Sequence, residues 1–170
     1  MKKILIFIVI GFFALPISAQ IQRQILGYTL GVSTKSTVLN GLQNKGFNVE
    51  LVPNAIRKGA VFYNVTGGVS FGGYIWDNVR IGFINGKFAT IWFSTYLTEQ
   101  QASKIKRNLQ SKYRRFSTSH TNPEAGEFDY TDRRTNVSFF IHSNMNSDLM
   151  YGDRNLEENT ETNSSSSSDL

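Results

Sequence analysis

Cysteine is absent from the 170 residues, histidine occurs only twice, and charged residues make up just 18% of the chain. Without cysteine there is no disulfide framework, no thiolate nucleophile, no cysteine-ligated zinc and no iron–sulfur cluster. Sparse charge combined with 13% aromatic residues excludes a chain that is disordered throughout and points to a sheet-rich fold. Catalytic signatures are missing too. No Gly-x-Ser-x-Gly elbow occurs, and the glycine-rich stretch Gly67-Gly68-Val69-Ser70-Phe71-Gly72-Gly73 has neither the helix nor the Lys-Ser/Thr that a phosphate loop needs. The reading is therefore non-enzymatic, with no catalytic residue, metal or cofactor expected.

What is present begins with an address. Lys2-Lys3 precedes an apolar block from Ile4 to Leu15, and Pro16-Ile17-Ser18-Ala19 follows. A basic end, an apolar stretch short of the roughly 20 residues of a spanning helix, and a small residue at the cut form a secretory signal peptide over 1–19. The expected location is secreted or periplasmic, with no transmembrane segment left after cleavage. Without Lys2 and Lys3, sixteen basic residues face thirteen acidic ones. After Met150 five acids stand against Arg154 alone, so residues 20–150 carry about +7. The polar stretch 153–170, ending in Ser164 to Ser168 and Asp169-Leu170, reads as a disordered tail. A basic domain favours anionic surfaces or acidic partners, and secretion argues against nucleic acid.

Residues 20–152 alternate helix and sheet signals. A short helix follows Ser33 or Thr34 as N-cap, lines up Val38, Leu39 and Leu42, and stops at Gly46. A second opens with the capping-box spacing Thr98 to Gln101 and places Ala102, Ile105, Leu109, Tyr113 and Phe116 on one stripe. Strands are expected at 47–52, 60–66, 69–76, 79–84, 88–96, 127–131, 136–142 and 149–152. Asn85-Gly86 marks a type I′ hairpin between two of them. A shift of 67 residues lays Val38 on Ile105, Leu42-Gln43-Asn44-Lys45 on Leu109-Gln110-Ser111-Lys112, Gly59 on Gly126 and Tyr63 on Tyr130. A shift of 68 lays Val69-Ser70-Phe71 on Val137-Ser138-Phe139. These matches point to an internal repeat, 31–97 and 98–152. The fold class is α+β, built of tandem helix-plus-antiparallel-sheet units that share one sheet or core.

With a helix leading each antiparallel meander, the stretch from Gly31 to Gly152 resembles the β-lactamase inhibitor protein-like fold. The run Gly31-Val32-Ser33-Thr34-Lys35-Ser36-Thr37-Val38 is also similar to the helix start of small outer-membrane assembly lipoproteins. Its valine falls one residue later than in that family, and the lipid-bearing cysteine is lacking. Both resemblances imply a protein that binds other proteins rather than turning over a substrate.

Two surfaces are candidates for that binding. Strand 88–96 is apolar on both faces, Ala89, Ile91 and Phe93 alternating with Phe88, Trp92 and Tyr96. One face meets the helices. The other, with Tyr74 and Trp76 beside it, is expected to present Tyr74, Trp76, Phe88, Trp92 and Tyr96 as aromatic anchors for another protein or to be buried as a second core layer. Lys104, Lys106, Arg107, Lys112, Arg114 and Arg115 form a basic surface on the second helix, suited to steering a partner or to docking on an anionic envelope surface. His120 lies in a polar loop, and His142 is expected to face the core if Phe140 does. Glu127 and Asp129 share a strand face and read as the solvent side of an amphipathic strand rather than a catalytic pair.

Overall fold

The computed structural model describes residues 20–53 and 59–156. The expected signal peptide and the tail beyond residue 156 lie outside the described residues. Two short strands, β1 (Gln24–Ile25) and β2 (Tyr28–Thr29), pair around Leu26 and Gly27, both at positive φ. Helix α1 (Lys35–Asn44) starts where Thr34 accepts a hydrogen bond from the Thr37 amide, and Gly46, at φ +86°, turns the chain out of it.

Strands β3 (Asn48–Leu51), β4 (Ala60–Thr66), β7 (Asn78–Ile84) and β8 (Lys87–Tyr96) then run as an antiparallel meander. Between β4 and β7 a hairpin of β5 (Val69–Phe71) and β6 (Tyr74–Trp76) leaves the sheet. The stretch 69–76, expected as a single strand, is thus two strands, because Gly72 and Gly73 both take positive φ and reverse the chain. Helix α2 (Glu99–Tyr113) carries the anticipated capping box: Gln101 donates its amide to Thr98 Oγ1 and accepts from the Thr98 amide. Strands β9 (Glu127–Thr131), β10 (Thr135–Ile141) and β11 (Asn146–Asp153) complete a second meander.

The main sheet has seven strands in the order β3-β4-β7-β8-β11-β10-β9. Its two meanders, each preceded by a helix, therefore meet at the antiparallel β8–β11 pair. The class is α+β, as expected. Val69-Ser70-Phe71 and Val137-Ser138-Phe139 do not occupy corresponding places, since the first lies in the separate hairpin and the second in the main sheet.

Alternation assigns each strand residue to one of two faces. Val65, Val79, Ile81, Phe83, Ile91, Phe93, Leu149, Tyr151, Val137, Phe139, Phe128 and Tyr130 are buried on the inner face. That face is covered by α1 through Val38 and Leu42, by α2 through Ala102, Ile105, Leu109 and Tyr113, and by the β5–β6 hairpin. Phe71 stacks on Phe93 at 4.6 Å between ring centroids, and Trp76 packs on the same ring at 5.5 Å while its Nε1 donates to the Phe71 carbonyl. The opposite face has no helix or hairpin over it among the described residues.

At the closed end of the core, Arg23 reaches across to Asp153, the last residue of β11. Both side chains are nearly buried, and the guanidinium also donates to the carbonyls of Leu30 and Arg134 and to Thr135 Oγ1. Asp153 therefore belongs to the folded domain, and the expected tail boundary at 153 moves outward: Arg154 to Leu156 are helical, with the Leu156 amide donating to Asp153 Oδ1.

Candidate functional site

The uncovered sheet face is assembled by strand register. One row crosses all seven strands: Glu50, Asn64, Arg80, Trp92, Met150, Ser138 and Asp129. Trp92 sits at its centre, between Arg80 on β7 and Met150 on β11, and is 43% exposed. Tyr96, four residues along the same strand and so on the same face, is 63% exposed. A depression of ≈ 380 Å³ opens beside Trp92, walled by Asn64, Asn78, Arg80, Ser94 and Asp148. The Arg80 Nε donates to Asn64 Oδ1 at 3.2 Å, which holds the guanidinium along the sheet.

Of the five aromatic anchors expected from the sequence, only Trp92 and Tyr96 lie exposed on this face. Phe88 is 1% exposed and sits on the inner face. The cause is a β-bulge: Gly82 pairs with Thr90 and Phe83 with Phe88, so Ala89 has no partner and the alternation slips by one residue. Trp76 is fully buried against Phe93, and Tyr74 is half-buried on the helix side, because the β5–β6 hairpin folds over the inner face. Phe62 was not anticipated here. It lies across Gly82, where a Cβ would come within 2.7 Å of its ring.

Charge divides between the two sides of the molecule. Glu50, Glu127, Asp129 and Asp148 stand on the uncovered face against Arg80, while Lys87 at its hairpin end turns Nζ to the Val32 carbonyl. The helix side carries the basic residues. Lys104, Arg107, Lys112, Arg114 and Arg115 are exposed along α2 and the following turn, and Lys106 lies with its Nζ 5.1 Å from the Phe128 ring centroid. Lys112 donates to Gln22 Oε1, and Arg115 packs over the Phe116 ring.

The residues weighed for chemistry are dispersed. His120 is exposed in its loop. Phe140 points to the uncovered face and not the core, so His142 follows it there, half exposed, with Nε2 2.8 Å from Asp148 Oδ2. His142 and Asp148 share a shallow depression with Ser94 and Asn146, of which Glu127 and Asp129 are not walls. Asp129 accepts a hydrogen bond from Ser138 Oγ. Among the described residues no three His, Asp or Glu are grouped to hold a metal ion, and no helix is long and apolar enough to cross a membrane.

Arg80 and Met150, the flanks of Trp92, were not legible as site residues. Arg80 had a signal in the polar alternation of Asn78 and Arg80 against Val79 and Ile81. Met150 had none, because its place depends on β11 pairing with β8. No family model matches the chain, and no curated protein or solved structure matches it either.

Proposed function

We propose that this chain is a non-enzymatic protein-binding module, exported from the cytoplasm, that docks its partner on the uncovered sheet face. The observation that carries the reading is the exposure of Trp92 and Tyr96 on a rigid sheet with nothing over it among the described residues. Such rings, with Arg and Met beside them, have the composition of interface hot spots. The dimensions agree. Seven strands about 4.8 Å apart and about seven residues long span roughly 30 by 23 Å, or about 700 Å², close to the roughly 800 Å² per partner of a standard interface. The carboxylates around the rings select a partner with a basic rim. The strand order, two helix-led meanders joined at β8–β11, supports a duplicated unit of the β-lactamase inhibitor protein-like kind.

The test is capture of a partner with the purified protein, its identification, and reconstitution of the pair from purified components. Trp92→Ala and Tyr96→Ala are each expected to weaken that pair at least thirtyfold, from the 2 kcal/mol or more of a hot spot, with an unchanged thermal midpoint. Unchanged affinity in both variants would overturn the assignment.

A second reading rests on the separate basic surface of α2: an accessory protein that docks on an anionic envelope surface. It predicts cosedimentation with phosphatidylglycerol vesicles that is lost at high salt and on Lys104→Glu/Arg107→Glu.

A further inference from the structure

On the opposite side of the sheet from Trp92, a crevice of ≈ 280 Å³ runs between α2, the β5–β6 hairpin and the inner sheet face. Its walls include Phe71, Trp76, Ile105, Leu109 and Leu149, rigid apolar groups held by the core. Two features give the lining a polar end, the first of which recurs in the core only at the Tyr130 hydroxyl among the described residues. The Tyr74 hydroxyl is buried and has no hydrogen-bond partner among the described residues, an arrangement that favours any ligand bringing an acceptor. Lys112 stands at the rim with its Nζ on Gln22 Oε1, on a helix whose exposed surface is basic. An apolar body and a negatively charged acceptor head are the complement of that lining.

We propose that this crevice binds a medium-chain carboxylate amphiphile, its chain between α2 and the hairpin and its head taken by Lys112 and the Tyr74 hydroxyl. The apolar walls are fixed by packing that exists without ligand, the volume lies just under the range of small-molecule sites, and the Tyr74 ring has to turn for its hydroxyl, out of solvent contact in the free protein, to meet the head. The crevice is independent of the uncovered face, since Trp92 and Tyr96 lie on the other side of the sheet.

The chain has two tryptophans, so Trp92→Phe leaves Trp76 as a sole reporter inside the crevice. Titration of that variant with decanoate is expected to give a saturable shift of Trp76 emission. Decanol, with the same chain and no charge, is expected to bind at least tenfold more weakly, and Lys112→Gln to weaken decanoate to a similar degree. Asn108→Trp, at an exposed rim position, is expected to block the site. Tyr74→Phe separates ligand recognition from packing: it is expected to raise the thermal midpoint of the free protein while lowering decanoate affinity. A free carboxylate is distinguished from membrane lipid by repeating the titration with phosphatidylglycerol vesicles, which are expected to leave Trp76 unchanged. A response to vesicles but not to decanoate, equal binding of decanol and decanoate, or no saturable change would each overturn the proposal.

Discussion

Replacing Asp153 with asparagine removes one charge from the pair that fastens the segment before β1 to the end of β11. In the folded protein Arg23 is 12% and Asp153 3% exposed at the side chain, so solvent screens the pair little. Breaking one side of such a pair costs roughly 3–5 kcal/mol, because the remaining charge stays buried. Asp153→Asn falls at the lower end, about 3 kcal/mol. The guanidinium keeps the Leu30 and Arg134 carbonyls and Thr135 Oγ1, and the new amide still offers Oδ1 to the Leu156 amide. Arg23→Met is worse, about 4 kcal/mol, since among the described residues the Leu156 amide is the partner the carboxylate keeps. At about 4 °C per kcal/mol for a domain of this size, the thermal midpoint falls by about 12 °C in the first variant and about 16 °C in the second. The matched double variant Arg23→Met/Asp153→Asn removes both charges and is expected to lose no more than Arg23→Met alone, about 4 kcal/mol, so the double-mutant cycle returns a coupling of about 3 kcal/mol. Circular dichroism melts of the four proteins measure it. Single variants within about 1 kcal/mol of the parent, or strictly additive losses, would refute the reasoning.

The two tryptophans respond oppositely to truncation. Trp76→Ala removes a fully buried ring and its bond to the Phe71 carbonyl and is expected to cost about 3–5 kcal/mol in urea denaturation. Trp92→Ala is expected to stay within about 1 kcal/mol; equal losses would contradict the two placements. Alkaline stability tests two buried hydroxyls. Burial, with Tyr113 adding to it, pushes Tyr151 well above the ordinary tyrosine range, and burial followed by the Asp129 charge raises Tyr130. Their neutral forms favour the fold, so this stabilisation is complete below the unfolded value of about 10 and is lost as pH rises beyond it. The urea midpoint should fall above about pH 10, and less steeply in Tyr151→Phe; a midpoint that rises there would refute the assignment.

Local chemistry was read directly from the chain where it acts over a few residues. Asn85-Gly86 forms the anticipated hairpin with both residues at positive φ, and Thr98 with Gln101 forms the capping box. The buried stripe of α2 is likewise the one its spacing implied, apart from Phe116, which lies beyond the helix. The losses all come from long-range placement. Simple alternation puts Phe88 on the wrong face because one unpaired residue, Ala89, inverts it, and nothing in Lys87-Phe88-Ala89-Thr90 distinguishes a bulge from a regular strand. Aromatic strands 69–76 and 88–96 suggest Trp76 beside Trp92, whereas tertiary packing turns the β5–β6 hairpin onto the inner face. Asp153 looked like the start of a polar tail, since the partner that makes its burial tolerable lies 130 residues away.

The β8–β11 seam governs how this molecule can be assembled in time. Thr90 and Tyr151 are 61 residues apart in the chain and meet in the middle of the sheet, so closing that loop costs conformational entropy before the pairing returns any stability. Either meander formed alone would present a bare aromatic or methionine-bearing edge, Ile91-Trp92-Phe93 on one side and Leu149-Met150-Tyr151 on the other. Until β11 arrives, those edges are templates for strands of other chains. Folding is therefore expected to be slow for a protein of this size, and its yield on refolding to fall as protein concentration rises.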